Sequence, residues 1–109
     1  MDDAKPTGYR VIGDANVDKI RLRILAVNLE QSLDKHRTFS PDVARLAEYA
    51  PLKDAMRRAE EQMIDLPEEL GNLGYWLFET ELSGPDFVGL IDCLIKFDQC
   101  LKGWRVIEE

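Results

Sequence analysis

Between Val17 and Leu33 the chain carries two apolar stripes at helical spacing, a pattern that narrows the available folds more than any other. Val17, Ile20, Ile24 and Val27 fall on one face, and Leu22, Leu25, Leu29 and Leu33 form a second stripe beside it. A helix that is apolar on two sides is the element expected at the centre of a bundle, covered by neighbours on both. Asp14 or Asn16 is placed to cap its start. The helix is expected to run to about Lys35, with Arg23, Glu30 and Asp34 on its wet edge and His36 and Arg37 at the carbonyl end.

Ser40-Pro41-Asp42 is a second helix start, combining a capping hydroxyl, a first-turn proline and an acid near the exposed amides. Val43, Leu46, Ala47 and Ala50 face inward. Pro51 then interrupts the pattern, because it disfavours helical geometry at Ala50 and removes an amide, so a kink or fresh start is expected there. From Leu52 onward, Ala55, Met56, Ala59 and Met63 continue the buried face, and Arg57 and Glu61 are spaced to pair.

Asp65-Leu66-Pro67-Glu68-Glu69 breaks and restarts the chain, and a third helix is expected over about Glu68–Leu82. Leu70, Leu73, Gly74 and Leu77 form its main face, Tyr75, Phe78 and Leu82 a second strip, and Trp76 points a third way. Gly71 and Gly74 either allow close backbone approach or delay the helix to Asn72. Ser83-Gly84-Pro85-Asp86 punctuates again, and a last helix over about Pro85–Lys102 shows Phe87, Leu90, Ile91, Leu94, Phe97 and Leu101 on one stripe, with Gly103 as its stop. The fold class expected is all-α: an antiparallel four-helix bundle with its second helix broken at Pro51 and short irregular or β-like termini. Residues 1–109 form one domain, with 1–13 an N-terminal arm and 103–109 a C-terminal tail. Tyr9-Arg10-Val11-Ile12 near one end and Trp104-Arg105-Val106-Ile107 at the other are near copies. They either pair as short strands, pack together, or match by chance.

Charge is unevenly placed. Residues 1–58 carry 9 acids and 11 bases, whereas residues 59–109 carry 12 acids and 3 bases. The asymmetry favours a basic protein partner and disfavours nucleic acid and membrane surfaces. No apolar run is long enough to span a bilayer, and MDDAKPTGYR lacks a secretory profile. Cys93 and Cys100, roughly 10 Å apart along one helix, are beyond disulfide reach. They are expected as free thiols in a reducing cytoplasm.

Little here points to catalysis. One histidine, His36, and two cysteines supply no metal-ligand spacing, and the Glu-x-x-His pair of a carboxylate-bridged metal is missing from the sequence. LGNLG and SGPD lack the length and the lysine of a phosphate cradle. Glu81 and Asp98 fall within apolar stripes, but bundle geometry separates them by roughly 16–20 Å, too far for paired-carboxylate work. Neither an enzyme nor a cofactor or metal is expected. What stands out is the span from Ala59 to Ile95, with nine carboxylates and no Lys or Arg. Such a run is either a solvated face or, with Trp76 among the acids, a binding surface.

Several of these segments in order have a counterpart. The amphipathic VDKIRLRILAVNLEQ, a second region closing on MRRAEEQMI, LGNLGYWLFETEL running into acids, and the SGPDF turn follow one another over roughly residues 17–98. In this layout the chain resembles the small helical immunity proteins that neutralise bacterial type VI secretion toxins, especially one protecting against an NAD(P)-degrading toxin. The resemblance implies a cytoplasmic inhibitor without catalysis of its own, which covers the active site of a cognate toxin domain with a basic surface. Carried onto this sequence, it implies Glu79, Glu81 and Asp86 as charge and Tyr75 and Trp76 as anchors. The alternative is an acidic adaptor or structural module that binds a non-toxin protein or forms a homodimer.

Overall fold

The computed structural model describes residues 8–11 and 17–107. Its body is helical. Strand β1 (Gly8–Val11) is followed by α1 (Lys19–His36), α2 (Pro41–Ala47), α3 (Ala50–Glu60) and α4 (Leu73–Phe78). Two single 3₁₀ turns, Glu81–Ser83 and Pro85–Phe87, lead into α5 (Val88–Leu101) and strand β2 (Trp104–Ile107). The two strands pair antiparallel, with Tyr9 opposite Val106 and Arg10 opposite Arg105, so the near-copied runs do meet.

Helix α1 packs against both α3 and α5, chiefly through its leucine stripe, while of the other stripe only Val17 is buried and Val27 half-buried. Leu22, Leu25, Ala26, Leu29 and Leu33 are buried, whereas Ile20 and Ile24 are 69% and 53% exposed. The expectation of burial from two sides is corrected here. The neighbours of α1 converge on its leucine side, and among the described residues nothing covers Ile20 and Ile24. The cap also differs from the expected one: the Asp18 carboxylate accepts from the Arg21 amide at 3.1 Å. Asp14 and Asn16 lie outside the described residues.

Three of the local start and stop signals hold. Ser40 Oγ accepts from the Val43 amide at 3.2 Å, opening α2 with Pro41 in its first turn. Helix α3 is a fresh start with Pro51 in its first turn, as its fixed φ and missing amide require. Gly103 ends α5 with a φ of 85°, conformational space a side chain disfavours. The Arg57–Glu61 pair forms at 3.2 Å.

The third helix is corrected most. Residues 61–72 form a strap, not the start of a helix. Its amides and carbonyls bond elsewhere: Val17 N–H donates to Asp65 C=O at 3.2 Å, and Glu68 N–H donates to Leu101 C=O at 3.0 Å. The second bond satisfies a carbonyl at the end of α5 that has no helical partner. Ile64 and Leu70 are buried under the strap, while Met63, expected on the α3 face, is exposed beyond the helix end. Gln62 takes a φ of 57°, and Gly71 and Asn72 take 74° and 54°, so the chain turns left-handed on both sides of the strap. Among these residues only Gly71 does so without steric cost. The result is not a regular four-helix bundle. Helices α1, α3 and α5 form the centre, and α2 and α4 are short.

Arg58 fastens the strap. Its guanidinium donates to both Glu68 oxygens, at 2.6 and 2.8 Å, and to Asp54 at 2.8 Å. Arg58 accordingly holds the Glu68 carboxyl below its ordinary pKa. Bidentate pairing is the strong form of this contact, but Glu68 is partly in solvent and the gain is screened. Arg58→Ala is expected to cost about 1 kcal/mol at neutral pH. A group with a lowered folded pKa contributes stability above its unfolded pKa and loses it as pH falls through the folded value. The deficit of Arg58→Ala relative to wild type in thermal unfolding should therefore shrink in acid.

Candidate functional site

The five residues expected at a partner surface lie on α4 and the turns behind it. Tyr75, Glu79 and Asp86 are exposed. Among the described residues, Glu79 and Asp86 form no ion pair or side-chain hydrogen bond.

Trp76 is not an exposed anchor; it is 6% exposed and belongs to the core. Its ring lies 5.7 Å from that of Tyr49 and 5.1 Å, edge-on, from that of Tyr75, with the Arg45 guanidinium 5.6 Å from its centroid. The direction that leaves both apolar strips of α4 is the direction facing the junction of α2 and α3. A helix of six residues has no fixed inner face of its own, and the neighbour offering aromatic and cationic partners claims the largest side chain. The indole Nε1 is buried without a hydrogen-bond partner. With Trp76 inward, Phe78 turns outward and is 77% exposed.

Glu81 is engaged within the molecule. Its carboxylate accepts from Ser40 Oγ, and its amide donates to Asp42 Oδ2 at 3.0 Å. That amide, and then Arg45, hold the Asp42 carboxyl below its ordinary pKa. Glu81 thus clamps the 3₁₀ turn to the first turn of α2, an exposed side chain with a positioning task. Thr80 finishes the turn: its Oγ1 donates to Trp76 C=O at 2.8 Å and accepts from the Leu82 amide at 3.2 Å. Asp98, the other carboxylate on an apolar stripe, is 5% exposed and pairs with Lys102 at 3.1 Å.

Between α4, the turns and the start of α5 runs an apolar groove of about 270 Å³, lined by Leu77, Phe78, Leu82, Ser83, Gly84, Val88 and Ile91. Val88 is 65% exposed at its edge. Each lining segment has an acid within two residues: Glu79 after Phe78, Glu81 before Leu82, Asp86 before Val88 and Asp92 after Ile91. Phe78 and Val88 were not expected at the surface. Their apolar character was legible, but their outward direction depends on Trp76 turning in.

Much of the acidic span is neutralised by bases from elsewhere. Asp65 pairs with Lys19, Glu61 with Arg57, Glu68 with Arg58 and Asp92 with Lys96. A larger open groove, about 510 Å³, lies between α1 and α3 and includes Glu30, Lys53, Asp54, Arg57 and Glu60. There Glu60 shares a hydrogen bond with Glu30, which together with burial raises its pKa to about 7. His36 is half-buried, its Nδ1–H donating to Ser32 C=O at 2.9 Å and its ring 5.6 Å from that of Phe87. Cys93 and Cys100 are not joined in a disulfide, and burial pushes the Cys93 thiol up. Among the described residues no cluster of His, Cys, Asp and Glu is placed to hold a metal ion, and no helix is long and apolar enough to cross a membrane.

No protein-family model, curated protein or solved structure matches this chain.

Proposed function

We propose that this chain is an immunity protein that binds a cognate bacterial toxin enzyme and covers its active site. The observation that carries the reading is the surface behind α4. Exposed Tyr75, Glu79 and Asp86 lie on the same short helix and turns as an apolar groove edged by Phe78 and Val88, within a 37-residue span lacking any base. An apolar centre with an acidic rim suits a basic catalytic cleft: the rim steers the approach, and the desolvated aromatics hold the complex. The layout resemblance to type VI immunity proteins supports the same partner class. Tyr75 and Phe78 take the anchoring role, Glu79 and Asp86 supply free charge, and Glu81 positions the turn.

The test is co-expression with whatever secreted enzyme domain a neighbouring gene is found to encode, followed by size exclusion of the purified pair. Rescue of poisoned cells and a stable complex are expected; survival without a complex, or no rescue, would overturn the reading. In the complex, Glu79→Lys with Asp86→Lys is expected to slow association by about tenfold at low salt, with a smaller change in dissociation. Stopped-flow measurements at two ionic strengths check this.

A further inference from the structure

The side of α1 left uncovered by the core is the chemical complement of the groove. Ile20 and Ile24 are exposed one turn apart, with half-buried Val27 beside them, opposite the buried leucine stripe. Arg21 and Arg23 flank them in sequence, Lys19 beside Ile20 is paired with Asp65, and no carboxylate occurs between Lys19 and Leu29 along the chain. The groove of Leu77, Phe78, Val88 and Ile91 lies in the stretch without a base. One surface is apolar with Arg21 and Arg23 beside it. The other is apolar with Glu79 and Asp86, acids unpaired among the described residues, within two residues of its lining. At about 270 Å³ the groove is sized for aliphatic side chains, below the range of drug-sized ligand clefts.

We propose that the chain associates with itself head to tail, the Ile20–Ile24 face of α1 in one copy seating in the acid-bordered groove of the next. The occupant is a second copy because both halves of the match are present in one sequence, each with its own sign of charge. The contact is heterologous: stripe meets groove, so each copy keeps one of each free, and association continues past a single pair unless the rotation closes a ring. Exposed aliphatic residues gain from leaving water, while the opposite borders set orientation and exclude the stripe–stripe and groove–groove alternatives. The inference goes beyond toxin binding and does not depend on it.

The test is sedimentation velocity and light scattering on the full chain. The weight-average mass should rise above the 12.5 kDa of one chain as concentration passes on the order of 10–100 µM, the range of small transient interfaces. Association should weaken at least several-fold on going from about 0.05 to 0.5 M salt. Ile24→Glu and Val88→Lys replace exposed side chains, so circular dichroism should match wild type. Each variant alone is expected to be monomeric. Mixed, they should form a 1:1 heterodimer that grows no further, because Val88→Lys keeps its stripe and Ile24→Glu keeps its groove. A wild-type chain that stays monomeric at about 1 mM would overturn the proposal and leave the groove to a different basic partner. Association that survives in either single variant, is insensitive to salt, or is not restored by mixing would overturn it equally.

Discussion

Trp76→Ala is expected to cost about 3–5 kcal/mol, the range for truncating a large buried aromatic, and so to unfold much of a domain this small. The ring is the meeting point of Tyr49, Tyr75 and Arg45, and its loss leaves a cavity where α4 joins the α2–α3 junction. Trp76→Phe should be far milder. It keeps most of the apolar contact and removes an indole N–H that is buried without a partner, a group whose desolvation is a standing cost. Tyr75→Ala and Phe78→Ala, at exposed positions, should each shift stability by less than about 1 kcal/mol. Urea unfolding of the four variants checks the set. Equal stability of Trp76→Ala and wild type would mean that the tryptophan is not packed in the core, and would return it to the partner surface.

Stability is also expected to fall from mildly acidic to mildly alkaline solution, and the cause is Glu60. Its carboxyl shares a hydrogen bond with Glu30 across the groove between α1 and α3, with Arg23 opposing the effect and Glu61 adding to it, and it titrates at about 7 when folded. A folded pKa raised above the unfolded value means that the folded state holds the proton more tightly. The contribution is complete below the ordinary carboxylate pKa and is lost as pH rises through about 7. Discounted for the solvent around the pair, the loss is about 1–2 kcal/mol between about pH 5 and pH 8. The carboxylates held low, Asp42 by the Glu81 amide and then Arg45, and Glu48, Asp54 and Glu68 by bases, act in the opposite direction and weaken the fold only in acid. Glu60→Gln should flatten the decline, since an amide can satisfy Glu30 at any pH. A decline of unchanged size in Glu60→Gln would mean that another group is responsible.

These two results also bear on how binding experiments are designed. Loss of partner binding in Trp76→Ala reports the fold, not the interface. Tyr75, Phe78, Glu79 and Asp86 are the positions where a binding change can be read as contact. Glu81 sits between the two groups. Glu81→Ala releases Ser40 Oγ and loosens the clamp to α2, so its effect on a partner would pass through the turn.

Legibility in the sequence follows the range of the interaction. Ser40-Pro41-Asp42, the fresh start around Pro51 and the stop at Gly103 depend on a hydroxyl, a ring or a missing Cβ acting within four residues, and each stands where the sequence places it. The helical body and the leucine stripe of α1 are equally local in origin, because period and side-chain volume alone define them. The pairing of the two terminal runs was open from sequence, since two short matching segments meet only if the body brings its ends together.

Direction was decided by the tertiary structure. Ile20, Ile24 and Leu22 are alike in hydrophobicity, and which of them is covered depends on where α3 and α5 lie. Glu68 and Pro67 form a plausible helix start, but the Glu68 amide bonds Leu101 and its carboxylate bonds Arg58, so long-range partners outcompeted a helix already weakened by Gly71 and Gly74. Trp76 was legible as the odd residue on α4, yet whether it faced solvent or core was settled by Tyr49 and Arg45, distant in sequence. The sequence by itself determined the start at Ser40-Pro41, the fresh start at Pro51 and the stop at Gly103, how much apolar surface the helices carry and where the acids concentrate, since these are properties of neighbours along the chain. Which of those apolar and acidic side chains remain exposed was decided only by packing, because burial is a relation between elements that no single segment contains.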